Sequence, residues 1–159
     1  MHIHGRNAEK ERLTACSAGE QLRGRSIMTT DGTLAKYRDI FEKNAFAHVA
    51  TVGAGGAPQI TPVWVDFDGK YIRFNTARGR VKDKNLQRHP HVALAAQDPD
   101  NPYRYVQVRG RAELTEQGAE AHIDALAKKY IGQDRYPWRR PGEVRVTVKV
   151  LPEHVQGMG

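Results

Sequence analysis

Between Thr61 and Leu86 the chain reads T-P-V-W-V-D-F-D-G-K-Y-I-R-F-N-T-A-R-G-R-V-K-D-K-N-L. Two extended runs, one carrying Trp64, lead into five cations within eleven residues: Arg78, Arg80, Lys82, Lys84 and Arg88, opposed only by Asp83. The start of a helix presents backbone N–H groups with partial positive charge, which bind phosphate. Arginine adds a fork for two phosphate oxygens, and lysine adds a mobile point charge. Arg80 and Lys82 stand where a strand gives way to a short helix, so they can reinforce such a site. A solvated surface run has the same composition. An aromatic surface beside a cationic loop suits a ligand with a planar ring and a phosphate tail, the outline of a flavin-type cofactor.

The strand before the loop adds to this. Thr61, Val63 and Val65 share one face, and Pro62, Trp64 and Asp66 the other. Pro62 lacks an N–H, so the strand lies at an edge or is interrupted there. Trp64 also suits an ordinary core position. Asp68-Gly69 is a two-residue hairpin signal, which is expected to bring Thr61–Trp64 alongside Tyr71–Thr76. A third group, Tyr103, Arg104 and Tyr105, could stack on a ring, line a substrate pocket or form plain cross-strand pairs. Trp138, in Y-P-W-R-R-P-G, is a lid or subunit-contact candidate. The histidines show no metal-ligand spacing: His2 and His4 lie near the N-terminus, and His89 and His91 flank a proline. No serine stands in a nucleophile elbow and no carboxylate pair stands out. Any difficult chemistry therefore belongs to a cofactor.

The elements that must position these residues follow from periodicity. Asp31 or Thr33 caps a helix whose apolar face is Leu34, Tyr37, Ile40 and Phe41. Strands are expected over 46–52, 58–67, 70–75, 92–96, 103–114 and 144–151. The strand over 92–96 reads as fully buried, 98–102 as a loop, and V-R-V-T-V-K-V as strictly apolar-in, polar-out. Gly110 suggests a bulge or a close backbone approach. Short helices are expected over 81–87 and from a Thr115 cap to Ile131, the latter buried along Ala119, Ile123, Leu126, Ala127 and Tyr130. Six strands in mostly hairpin order give a mainly β, antiparallel barrel or closed sheet. Gly53-Ala54-Gly55-Gly56 is followed by a strand, which excludes a dinucleotide fingerprint.

The 159 residues make one domain. The formal charge of +7 fits a multiply anionic small molecule or nucleic acid. Cys16 is the single cysteine, so a disulfide framework is excluded and a reducing, cytoplasmic setting is expected. No apolar run of about 18 residues reads as a membrane span. Residues 1–27 are basic and polar without the apolar core of a secretory signal, and they read as a disordered extension, with Met28 a candidate start.

The segments A-H-V-A-T-V, G-A-P-Q-I-T-P-V-W, F-N-T-A-R-G-R-V-K-D-K-N-L, Y-V-Q-V-R-G-R-A-E-L and P-W-R-R-P-G-E-V-R-V-T-V-K-V resemble the pyridoxamine 5′-phosphate oxidase-like superfamily of flavin and deazaflavin oxidoreductases. The likeness covers roughly residues 34–155. The branch using the deazaflavin coenzyme F420 is the most similar. The resemblance implies an antiparallel six-stranded split β-barrel over residues 31–159, after a disordered extension over 1–30. It also implies a homodimer with two cofactors in grooves between subunits. By the same resemblance Arg80 and Lys82 hold the cofactor phosphate and acidic tail, assisted by Asn75 and Thr76. Gln59, Thr61, Pro62 and Val63 contact the ring. Tyr103, Arg104 and Tyr105 match a segment that reaches the cofactor, and Asn85 braces the loop. The implied reaction is hydride transfer between reduced deazaflavin and a small conjugated or unsaturated acceptor.

Three other readings stand beside it. One keeps the fold and binds FMN. A second is a non-catalytic flavin or deazaflavin carrier. The third is a nucleic-acid module using Tyr103, Tyr105, Arg109 and Arg111 as a stacking and phosphate face, which no known motif supports.

Overall fold

The computed structural model describes residues 30–159. Cys16, His2, His4, Met28 and the expected extension lie outside the described residues, apart from Thr30, which opens the first helix. In chain order the elements are α1 (Thr30–Ala35), α2 (Arg38–Glu42), β1 (Ala47–Val52), β2 (Pro58–Val63), β3 (Val65–Phe67), β4 (Ile72–Ala77), α3 (Val81–Arg88), β5 (His91–Asp98), β6 (Asn101–Thr115), α4 (Ala119–Ile131) and β7 (Arg145–Met158). All strand pairs are antiparallel, in the order β2-β1-β5-β6-β7-β4-β3. The mainly β, split-barrel architecture is the one the sequence indicates. Among the described residues no helix is long and apolar enough to cross a membrane.

The sheet's two edge strands, β2 and β3, are consecutive in the chain and separated by Trp64 alone. A flat seven-stranded sheet would hold its edges roughly 30 Å apart. The chain from Val63 to Val65 spans about 7 Å at most. The sheet must therefore curl until its edges meet, which makes a barrel split at Trp64. This is why there are seven strands rather than six: the run over 58–67 is broken after Val63. Pro62 sits on an edge strand, where a missing N–H costs no ladder bond.

The exposed backbone at the split is satisfied by α4. The Tyr130 hydroxyl accepts from the Val65 N–H at 3.0 Å and donates to the Ala45 carbonyl at 2.5 Å. Lys129 Nζ donates to the carbonyls of Phe41 and of Val65, the latter at 2.8 Å. Burial pushes the Tyr130 phenol up to about 12. Inside the barrel Val49, Phe74, Leu94, Val106, Val108 and Val148 form one core with Ile40 and Phe41 from α2. Burying each such side chain contributes about 1.5–3 kcal/mol.

Several local expectations change. The first helix breaks at Lys36–Tyr37 into α1 and α2, yet Leu34, Tyr37, Ile40 and Phe41 all remain buried. Asp68–Tyr71 forms a four-residue loop rather than a two-residue turn, because Asp68 Oδ1 accepts from the N–H groups of Lys70 and Tyr71. Consequently β3, not β2, pairs with β4, and Thr61–Val63 pair with β1. Along β5 Val92, Leu94, Ala96 and Asp98 are buried, while Ala93 and Ala95 on its other face are half-exposed. The loop over 98–102 shrinks to a tight turn at Pro99–Asp100. Thr115 does not cap α4; its hydroxyl accepts from the Gln117 N–H, and Gly118, with φ 74°, precedes the helix instead. β7 continues to Met158 by a register shift opposite Gly110, where a Cβ would lie 2.1 Å from the Leu151 carbonyl. The strict alternation of β7 also fails. Arg145 and Thr147 are buried because α4 packs over that end of the strand's outer face.

Two outcomes follow. Tyr130→Phe strands the Val65 N–H and loses the Ala45 partner, so denaturant unfolding should show a loss of about 1–3 kcal/mol. At the β5–β6 turn, Arg104 grips Asp39 at 2.7 and 2.8 Å and Asp98 at 2.9 Å, and Lys43 holds Asp98 at 2.7 Å. Lys43, the Asp100 N–H and Arg104 hold the Asp98 carboxyl down at about 2, against an ordinary 3.8. The folded state binds this proton more weakly than the unfolded chain, so the contribution is complete above the ordinary value and lost as pH falls through about 2. An acid titration of stability should become shallower in Asp98→Asn across that window.

Candidate functional site

The split shapes a cleft of about 220 Å³ between the β2–β3 junction, β4, the α3 start, α4 and the loop over 135–142. One wall is aromatic. Trp64 stacks on Tyr130, with centroids 5.3 Å apart and planes at 11°. Tyr136 meets Trp64 edge-on at 6.0 Å, and Trp138 leans on both. These geometries are the favourable ones for aromatic pairs. Asp124 on α4 fastens the loop by accepting from the Tyr136 N–H at 2.8 Å and from Arg139 at 2.6 Å.

The facing wall is cationic. Lys82 projects from the first turn of α3, and its Nζ donates to Thr61 Oγ1 at 2.5 Å. Burial, reinforced by the Arg80 charge, lowers the Lys82 pKa. Among the described residues no carboxylate forms an ion pair with Lys82. Arg80 pairs with Glu143 at 3.0 Å, and Glu143 also holds Arg145 at 2.5 Å. Burial raises the Glu143 pKa, but the two guanidiniums outweigh it and the net shift is downward. Two of these three cations thus share one carboxylate, and Lys82 has none. Neighbouring Arg78 is instead neutralised by Asp83 and Glu116, and Asp83 also accepts from the Gly79 N–H.

β4 supplies the floor. Asn75 Oδ1 accepts from Arg145 Nε at 2.8 Å, and its Nδ2 donates to the Ala119 carbonyl at 2.9 Å. Thr76 Oγ1 is buried with no hydrogen-bond partner. Below lies a polar chain: buried Asn85 donates to Thr51 Oγ1 at 3.0 Å, which reaches Gln59 Oε1 at 3.2 Å.

Of the residues singled out from sequence, Pro62, Val63, Asn75, Thr76, Arg80 and Lys82 line the cleft, and Thr61 touches Lys82. Gln59 and Asn85 stand behind it. Tyr103, Arg104 and Tyr105 are not part of its lining. Tyr103 is 78 % exposed, Arg104 is held by Asp39 and Asp98, and Tyr105 lies between Gln97 and Met158 in the sheet. The expected convergence of Thr61–Trp64 with Asn75 and Thr76 does occur, but by barrel closure rather than by a hairpin. Sequence reasoning missed Arg145, Glu143 and Tyr136. Arg145 sits on the face assigned to solvent, and the signal available for Tyr136 was its place beside Trp138.

Comparison with known proteins gives a consistent picture. Among curated proteins none matches the chain. Among solved structures, one named F420 reductase is 33% identical, covers 75% of this chain and 94% of its own, and superposes with a TM-score of 0.66. A conserved hypothetical protein from Mycobacterium tuberculosis is 25% identical over 78% of this chain and 82% of its own, with a TM-score of 0.65. General Stress Protein 26 from Bacillus anthracis, 15% identical over 78% and 92% with a TM-score of 0.59, shares the fold. The pyridoxamine 5′-phosphate oxidase family model matches residues 33–159, nearly the whole described chain, and the protein belongs to that family.

Proposed function

We propose that the protein is an oxidoreductase that binds coenzyme F420 in the Trp64 cleft and reduces a small conjugated or unsaturated acceptor, working as a homodimer. The observation that carries this reading is Lys82: a half-buried ammonium, facing a cleft, whose partner is a neutral hydroxyl. A buried charge without a counter-ion is unfavourable, and a ligand phosphate removes the penalty. Thr76 Oγ1, buried and unpartnered in the same cleft, offers a further polar contact. The donor set therefore fits a phosphate-bearing cofactor. The 33% identity to an F420 reductase supports the deazaflavin over FMN.

When bound, the deazaflavin supplies the hydride. The chain's own residues bind and orient. Lys82 and Arg80 meet the anionic end, and Asn75 fixes Arg145 beside them. Trp64, Tyr136 and Trp138 offer flat apolar faces to a ring and keep water from it. The proton comes from solvent. In this reading Tyr103, exposed near the start of β6, serves the cleft of the second subunit.

Fluorescence titration with F420 and with FMN tests the assignment. F420 should bind more tightly; tighter FMN binding changes the cofactor, and binding of neither overturns the reading. Lys82→Ala should weaken F420 binding by about 1.5–3 kcal/mol, and Arg80→Ala by less, since Glu143 already offsets its charge. Turnover of reduced F420 with enones, quinones or tetrapyrroles separates an enzyme from a carrier.

Lys82 also carries a stability signature. Its folded pKa is lowered, so the unfolded chain holds the proton more firmly. The charged group therefore opposes folding at neutral pH; the penalty starts to fall as pH rises through the folded value and is gone above the ordinary lysine value. Lys82→Met should raise the melting temperature of the cofactor-free protein while impairing F420 binding. A lower melting temperature would contradict an uncompensated cation.

A further inference from the structure

His122 lies on the buried face of α4, behind the cleft wall and 9 % exposed. Its Nδ1 is 3.0 Å from Thr147 Oγ1 on β7 and 3.5 Å from Asn75 Nδ2 on β4. Its Nε2 has no hydrogen-bond partner of good geometry, and the Asp66 Oδ2 oxygen on β3 is 3.4 Å away. Asp66 is itself gripped by Arg73, through two bonds of 2.8 Å. Asp66, with Arg73 behind it, and the uncharged Asn75 and Thr147 are thus the groups facing the imidazole from β3, β4 and β7.

The orientation of Asn75 follows from its other partners. A guanidinium only donates and a backbone carbonyl only accepts. The Asn75 oxygen must therefore face Arg145 Nε, and its NH2 must face the Ala119 carbonyl. The second amide hydrogen is then the one left for His122 Nδ1, and the Thr147 hydroxyl can also donate to that nitrogen, so an accepting Nδ1 suits both neighbours. In a neutral ring with an accepting Nδ1 the proton is on Nε2, 3.4 Å from the Asp66 carboxylate.

We propose that His122 is a positioning residue of the cofactor cleft: as the Nε2–H tautomer it fixes the Asn75 amide, which in turn holds Arg145 against the anionic end of the ligand. A proton on Nδ1 would set two donors face to face. The contact to the amide would be lost, leaving Asn75 held by Arg145 and the Ala119 carbonyl alone and its hold on Arg145 looser. The inference rests on the proposed function for its ligand, but its tautomer prediction does not.

Two measurements test it. Nitrogen-15 NMR of histidine-labelled protein at neutral pH should show His122 as the Nε2–H tautomer; the Nδ1–H form would overturn the proposal. F420 titrations at neutral pH compare the wild type with two variants. His122→Phe, which removes the acceptor, should bind about tenfold more weakly at neutral pH. His122→Asn places an amide oxygen near the Nδ1 position, so it should restore most of that loss. Circular dichroism and melting confirm that each variant folds. Folded variants that both bind like the wild type, or an Asn variant that binds no better than the Phe variant, overturn the positioning role while leaving the cofactor assignment intact. A wild type that binds neither F420 nor FMN overturns the functional reading, and this role with it.

Discussion

The structure depends on closure of a seven-stranded sheet through one residue. Because Trp64 alone separates the two edge strands, it cannot lie flat in either ladder, and its backbone neighbours lose strand partners. α4 makes this tolerable. Tyr130 and Lys129 take up the free groups at Val65, Ala45 and Phe41, while the Tyr130 ring stacks on the Trp64 indole. One helical turn thus closes the barrel and builds the aromatic wall of the cleft. The same closure brings β2 to the mouth of β4, which is how Thr61 and Pro62 meet Asn75 and Thr76.

Charge is distributed unevenly around this frame. At the β5–β6 turn Arg104 and Lys43 are matched by Asp39, Asp98 and Asp100, a closed network that ties β5 and β6 to α2. At the cleft Arg80 and Arg145 share Glu143, and Lys82 pairs with no carboxylate among the described residues. Buried or half-buried cations are ordinarily paired, and this imbalance is what the proposed anionic ligand would relieve. Exposed pairs such as Lys128–Asp134 carry no such meaning.

Much of this was legible in the sequence because periodicity records burial. Ile72 and Phe74 against Arg73, and the stripe on α4, behave as their spacing indicates. Pro62 announced an edge or an interruption, and the structure has both. What spacing could not record was which strand the second run joins, since side chains rather than turn type decide the Asp68 loop. The outer face of β7 was misread for a related reason. A period of two reports one covered face, and it is silent about a helix that later packs on the other and buries Arg145 and Thr147. The candidate site was visible as composition at Arg80 and Lys82; its third cation was hidden by that second layer.

The central claim is that the Trp64 cleft, with its aromatic wall and undercompensated cations, holds the anionic end of a flavin-type cofactor. A crystal structure of the protein with F420 tests it most directly. The account predicts phosphate oxygens within hydrogen-bonding distance of Lys82 Nζ and the Arg80 or Arg145 guanidinium, with the ring against the Trp64–Tyr136 wall. A cofactor seated elsewhere, leaving Lys82 on Thr61 alone, would contradict it.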